Sequence, residues 1–112
     1  MKLLLDNGTP APLRRHLGDH EIRTAAQLGW ATLANGDLLD RAEEAGYEIL
    51  ITTDQSIRFQ QNLSGRSIGI VVLMEARWPY VRLRTADIRE AIKVVQPGEA
   101  LEVPIPRQVP DG

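Results

Sequence analysis

Three aspartates stand where an acidic side chain could do chemistry. Asp6 follows the apolar segment KLLL, Asp54 follows the apolar segment ILITT, and Asp37 opens an amphipathic segment. Clustered carboxylates repel one another unless a cation offsets their charge, and a site with only oxygen ligands favours Mg²⁺ or Mn²⁺. Such an ion can orient a phosphate group and activate a water molecule. The three aspartates therefore predict a divalent-cation site, provided that the fold brings them together.

The apolar segments around these aspartates indicate what must position them. ILIT and SIGIVVLM are continuous apolar runs, which suits parallel strands that are covered on both faces. Strand candidates alternate with helix candidates, which predicts an α/β domain built as a three-layer sandwich, with helices flanking a mostly parallel sheet of four to five strands. The strand candidates are KLLLD, HEIRTA, residues 47–53, SIGIVVLM and ALEVPI, the last at a sheet edge because Pro104 lacks a backbone donor.

Helix candidates connect these strands. The first follows the turn sequence NGTP, with Thr9 as its cap and Gly18 at its end. The clearest helix has Asn35 as its predicted cap and a continuous apolar side. A short helix over residues 55–63 and a helix over residues 86–95 complete the pattern.

This arrangement predicts where the three aspartates lie. Ligands of open parallel sheets bind beyond the carboxyl ends of the strands, where Asp6 and Asp54 stand. A helix antiparallel to the strands starts at that same rim, which adds Asp37 to the predicted cluster. A simpler alternative exists for each residue, since an aspartate at a strand end is commonly a turn or cap residue. For Asp37, capping and the helix dipole are a sufficient explanation.

Four segments carry a family resemblance. KLLLDNGTPAPLRRHL, GDHEIRTAAQLGW, NGDLLDRAEEAGYEILITTDQSIRFQQNL and IGIVVL together resemble the PIN-like superfamily, and especially its small stand-alone branch of toxin ribonucleases. The likeness covers about residues 2–73. It implies a parallel sheet with flanking helices, an acidic pocket that binds Mg²⁺ or Mn²⁺, and hydrolysis of single-stranded RNA. It also implies a toxin–antitoxin pair, in which an antitoxin protein encoded beside the toxin neutralises it.

The resemblance assigns catalytic and metal-binding roles to Asp6, Asp37 and Asp54, which match the family's first-strand, middle-helix and third-strand acids. Two departures reduce the acidic set. Asn7 stands where many relatives have a second acid, and Gln55 follows Asp54 where many relatives have another acid close by. Three carboxylates hold a metal less well than four, so a catalytically degenerate binding module is the main alternative.

Polar residues near these acids are candidates for substrate binding. Arg58 could clamp a phosphate group in a bidentate pair, or it could simply pair with Asp54 one helical turn away. Thr52 and Thr53 could contact a metal-bound water, although β-branched residues also suit a strand. Asn7 and Thr53 are assigned with Arg58 to the predicted substrate-binding set.

Length, composition and charge limit the function classes. The chain has 112 residues, no cysteine and a net charge of −2. One domain is expected over residues 1–104, with a loose tail over residues 105–112. We expect no signal peptide or membrane span, and hence a cytoplasmic protein. No global basic field is present, so RNA would be attracted by local arginines such as those at positions 14, 15 and 23, or by bound cations, although ordinary surface charge is the simpler explanation of these arginines.

Two further interpretations stay open. The segment ARWPY could form a partner-binding or homodimer patch, since exposed aromatic residues mark such surfaces. A phosphate-receiver signalling domain would also place acids at Asp6 and Asp54. Receivers usually have an adjacent acidic pair, which Asn7 breaks, and a hydroxyl group after the fourth strand, where Leu73 and Met74 stand.

Overall fold

The sheet has five strands that all run in parallel. The computed structural model describes residues 1–107, and residues 108–112 lie outside the described part of the chain. The strands stand in the order β2-β1-β3-β4-β5, and Leu5 of β1 pairs with Thr24 of β2 on one side and with Ile51 of β3 on the other. Their bounds are β1 Lys2–Leu5, β2 Glu21–Thr24, β3 Ile49–Thr52, β4 Gly69–Leu73 and β5 Ala100–Val103.

Helices connect the strands. The α-helices are α1 Asn35–Glu44, α2 Ile57–Gln60, α3 Trp78–Val81 and α4 Thr85–Val94, and 3₁₀ helices span Ala11–His16 and Arg82–Arg84. None of the helices within residues 1–107 is long and apolar enough to cross a membrane.

Two apolar clusters cover the two faces of the sheet. On one face, α1 packs Leu38 and Leu39 in a buried cluster with Leu4 and Leu50 of the central strands. The other face is covered mainly by α4 and by the 3₁₀ helix Ala11–His16. Because successive strand residues point to opposite faces, both faces must be apolar, which explains the continuous apolar runs of β3 and β4.

The predicted fold class is confirmed as an α/β protein with a parallel sheet flanked by helices, compatible with a three-layer arrangement. The helix predicted after NGTP is instead the short 3₁₀ helix Ala11–His16. Its reach is limited because Pro12 lacks a backbone donor and Gly18 turns the chain at a φ of +90°. So few residues favour 3₁₀ over α geometry. The helix predicted over residues 55–63 is also shorter, at Ile57–Gln60.

The sequence analysis missed α3, which lies in the segment ARWPY. Trp78 and Tyr80 are half-buried and pack against the core, and the Trp78 ring lies 5.2 Å from the His16 ring, measured between centroids. These rings therefore present less free surface than the predicted aromatic patch requires. Chain packing also continues past position 104, since Ile105 is buried.

Strand order creates a crevice at one place in the sheet. The chain leaves β1 towards β2 on one side, whereas it leaves β3 towards β4 on the other. In open parallel sheets, the crevice for a ligand lies beyond the carboxyl ends of the two strands at this switch point. Asp6 directly follows β1 and Asp54 lies two residues beyond β3, so both aspartates stand at this crevice.

Candidate functional site

Asp6 and Asp54 are linked through the hydroxyl group of Thr52. The Thr52 Oγ1 atom donates a hydrogen bond to Asp6 Oδ2 at 2.8 Å and accepts one from the Asp54 backbone N–H at 3.1 Å. Thr52 is fully buried, and the backbone N–H of Asp6 extends the sheet pairing by donating to Ile51 at 2.9 Å. The predicted meeting of the first-strand and third-strand acids is therefore present as a hydrogen-bonded link.

Asp54 is held by donors from two other elements. Its Oδ1 atom accepts hydrogen bonds from the Ser56 backbone N–H at 3.0 Å and from the Ser56 hydroxyl group at 2.7 Å. Its Oδ2 atom accepts one from Asn35 Nδ2 at 2.7 Å. Hydrogen bonds from Ser56 and Asn35 lower the pKa of Asp54 despite its partial desolvation, so this carboxylate is charged at neutral pH.

Asn35 has a different role from the predicted helix cap. Ala34 occupies the cap position with an extended backbone, and Asn35 is the first helical residue. Its side-chain amide reaches across to Asp54 instead of closing its own helix. The reasoning that placed the start of α1 at the rim of the sheet applies equally to Asn35 and could have identified this contact.

Asp37 stands apart from this network in the hydrogen bonds of the structure. It lies in the first turn of α1 and is exposed to solvent. Within residues 1–107, no group of three or more histidine, cysteine, aspartate or glutamate residues is placed to hold a metal ion. The structure thus joins Asp6 to Asp54, and the role of Asp37 as a third ligand stays a prediction.

The loop after β1 lies closely against the end of β3. The Asn7 backbone N–H donates to Asp6 Oδ1 at 2.7 Å, which orients the first aspartate. A Cβ atom on Gly8 would lie 2.5 Å from Thr53 Oγ1, which is closer than van der Waals contact allows. Glycine at this position therefore lets the loop that bears Asp6 approach Thr53, and the predicted binding role of Asn7 and Thr53 stays untested.

Gly8→Ala is expected to displace this loop or rotate Thr53, and to weaken divalent-cation binding more than folding. Removing the Thr53 hydroxyl group removes the clash, so the double variant Gly8→Ala/Thr53→Ala should recover part of the loss. Mn²⁺ titration calorimetry on the two single variants and the double variant measures this coupling. Additive losses in the double variant would show that the close approach at Gly8 does not position Asp6.

Arg58 does not pair with Asp54. Its guanidinium group forms an ion pair with Glu102 of β5 at 2.9 Å and lies over the Phe59 ring at 4.6 Å. The short length of α2 places this side chain over the neighbouring strands rather than over the aspartates. A role for Arg58 in substrate binding would require it to leave or share Glu102.

The donor set at the switch point fits a single hard cation. Each of the four carboxylate oxygens of Asp6 and Asp54 accepts at least one hydrogen bond from the protein. A carboxylate oxygen has a second lone pair, so each can still bind a cation. Mg²⁺ is commonly held by one or two carboxylates, together with water and substrate phosphate oxygens. The two aspartates suit that mode better than a cage formed by the protein alone.

A further acid at this edge of the sheet, Glu75, was missed by the sequence analysis. It lies two residues beyond β4 and is buried. Its Oε1 atom accepts hydrogen bonds from the Ala76 and Arg77 backbone N–H groups at 3.1 Å and from Arg77 Nε at 3.2 Å, while Oε2 binds Arg107. Glu75 therefore joins the segment after β5 to the end of β4. Its position just after an apolar strand was the signal that could have identified it.

The pairing of Glu75 makes stability depend on pH. Hydrogen bonds from Arg77, then from Arg107 and the backbone, lower the pKa of Glu75 from 4.5 to about 2, against the effect of burial. A carboxyl group with a lowered folded-state pKa stabilises the fold above its unfolded-state pKa, and this contribution is lost as the pH falls. The melting temperature should therefore decline between about pH 5 and pH 2.

We expect Glu75→Gln to lower the melting temperature by several degrees at pH 7, because two arginines lose their charged partner. The difference from the wild type should shrink as the pH falls from about 5 to about 2. Circular dichroism melts across this range measure it, with Glu90→Gln on the exposed side of α4 as the matched control. Curves for Glu75→Gln and the wild type that stay parallel down to pH 2 would contradict the assignment.

The fold and the site together define an α/β protein with two hydrogen-bonded aspartates at the switch point of a parallel sheet. A comparison with protein-family models, with curated proteins and with solved structures gives no match to this chain. The resemblance to the PIN-like superfamily therefore stays a prediction from the sequence.

Proposed function

We propose that this protein is a Mg²⁺- or Mn²⁺-dependent ribonuclease of the PIN-like type that hydrolyses single-stranded RNA. The observation that supports this proposal best is the link between Asp6 and Asp54 through Thr52 at the switch point. The lowered pKa of Asp54 adds support, because a charged carboxylate is what a divalent cation requires. The same proposal includes a toxin role, a cognate antitoxin protein, a homodimer and a cytoplasmic location.

Each residue of the site has a defined task in this proposal. Asp6 and Asp54 would hold the ion, which supplies a polarised phosphate and an activated water when it is bound. Thr52 fixes the orientation of Asp6 by donating to one of its oxygens. Ser56 and Asn35 fix Asp54 in the same way and keep it charged. These partners leave the remaining carboxylate lone pairs available to a cation and a phosphate group.

The direct test is a cleavage assay with single-stranded RNA in the presence of Mn²⁺. We expect cleavage that requires Mn²⁺ and stops when EDTA is added. Titration calorimetry with Mn²⁺ on the same preparation separates metal binding from turnover. Absence of both cleavage and Mn²⁺ binding at millimolar concentration would overturn the proposal.

A catalytically degenerate binding module is the second candidate. It is favoured by the hydrogen bonds that already occupy every carboxylate oxygen of Asp6 and Asp54. It is also favoured by the amide of Asn35, which contacts Asp54 where an acidic neighbour would strengthen a metal site. RNA binding in EDTA, combined with no Mn²⁺ binding, would select this candidate over the ribonuclease.

A phosphate-receiver domain is the third candidate. The strand order supports it, since Asp54 follows β3 next to the strand that bears Asp6. The residues after β4 oppose it, because Leu73 and Met74 offer no hydroxyl group to a phosphoryl group. Mass spectrometry after treatment with a small phosphodonor and Mg²⁺ tests it, and an unmodified Asp54 would dismiss it.

A further inference from the structure

A series of adjoining depressions leads from Asp6 along the edge strand β2. The first has a volume of about 200 Å³ and is lined by Asp6, Asn7, Ala11 and Thr24 among others. Ala11 and Thr24 also line a second depression of about 210 Å³. Since neighbouring depressions share wall residues, they form one continuous groove that begins at the aspartate pair.

The far part of this groove is lined by cationic side chains. Arg14 and Arg15 line both the second depression and a third one of about 460 Å³, to which Arg23 and His20 also contribute. Both Arg14 and Arg15 are exposed, and no ion pair within residues 1–107 involves either of them. These two guanidinium groups therefore give the groove a local positive charge in a chain whose net charge is −2.

The one acidic side chain in this part of the groove offsets little of that charge. Glu21 reaches Arg23 at only 4.0 Å, and both side chains are about half exposed, at 56% and 49%. An exposed pair at this distance is weak, so Arg23 can exchange Glu21 for another anion. The groove thus presents three guanidinium groups, together with His20, to a ligand.

We infer that this groove, which we call the β2 track, binds the phosphodiester backbone of a single strand of RNA and leads it to Asp6 and Asp54. This inference rests on the proposed function for the identity of the strand. A linear ligand is favoured because the four residues of β2 extend over about 13 Å, at ~3.3 Å a residue. Guanidinium groups spaced along such a length match successive phosphate groups better than one small anion.

The test measures RNA binding without turnover. A short fluorescein-labelled oligouridine is titrated with the full chain in EDTA, and its fluorescence anisotropy is followed. The variant Arg14→Gln/Arg15→Gln should bind about tenfold more weakly than the wild type. Its dependence of log K on log salt should be shallower by about 1.4, because each lost phosphate contact on a single strand removes about 0.7.

A matched control separates the β2 track from overall charge. Arg41→Gln/Lys93→Gln removes the same two charges from exposed positions on α1 and α4 and should bind like the wild type. Equal weakening of both double variants, or no binding by the wild type, would overturn the inference. Equally tight binding of polyglutamate would also overturn it, in favour of an acidic protein partner.

The same experiment distinguishes the β2 track from the proposed hydrolysis. Binding that depends on Arg14 and Arg15, without any cleavage in Mn²⁺, would support the track while overturning the ribonuclease. Cleavage that is unaffected by Arg14→Gln/Arg15→Gln at low RNA concentration would support the ribonuclease while overturning the track.

Discussion

Replacing Asp54 with asparagine is expected to reduce Mn²⁺-dependent cleavage of single-stranded RNA by about 100-fold or more. Loss of a residue that merely orients a metal ligand commonly costs ~10–100-fold, and loss of the ligand's own charge should cost at least as much. Asparagine has the size of aspartate, and its oxygen can still accept the hydrogen bonds from Ser56. The effect should therefore appear in activity and in Mn²⁺ affinity, with the fold retained in circular dichroism.

Asp37→Asn is the matched comparison for this experiment. It removes the same charge from an exposed position in the first turn of α1. We expect a smaller loss than for Asp54→Asn, because no described hydrogen bond joins Asp37 to the aspartate pair. An equal loss of Mn²⁺ affinity in both variants would establish Asp37 as a third ligand. Equal cleavage by Asp54→Asn and the wild type would remove Asp54 from the mechanism.

The aspartate pair could be predicted because its signals are local. Each of Asp6 and Asp54 closes a continuous apolar run, and the parallel arrangement of such strands sends their ends to one rim. Edge position was equally readable for β5, where Pro104 directly follows the strand. These inferences need only strand identity and direction, which short stretches of sequence carry.

The partners of the pair could not be predicted in the same way. Thr52 meets Asp6, and Asn35 meets Asp54, through contacts between segments that are far apart along the chain. Such contacts depend on the register between β1 and β3 and on where α1 begins, and helix starts are uncertain by one or two residues. The burial of Glu75 depends likewise on Arg107, which arrives from beyond β5. The three-acid cluster was inferred from direction alone, without the lateral position of Asp37.

Thr52→Val is expected to reduce cleavage and Mn²⁺ affinity by about 10–100-fold and to destabilise the fold by about 1–3 kcal/mol. Valine has nearly the same shape as threonine but lacks the hydroxyl group that joins the two aspartates. Without it, Asp6 Oδ2 loses its donor and the buried backbone N–H of Asp54 loses its acceptor. The first loss frees Asp6 to rotate, and the second leaves a polar group without a partner.

Thr52→Ser separates the hydroxyl group from the methyl group at the same site. Serine keeps both hydrogen bonds and removes only one buried methyl group, which costs about 1 kcal/mol or less. We therefore expect near-normal Mn²⁺ affinity for Thr52→Ser beside a strong loss for Thr52→Val, measured by calorimetry after urea unfolding has ranked both stabilities. If serine and valine lose Mn²⁺ affinity equally, packing around Thr52 rather than its hydroxyl group positions Asp6, and the aspartate pair is not coupled through this residue.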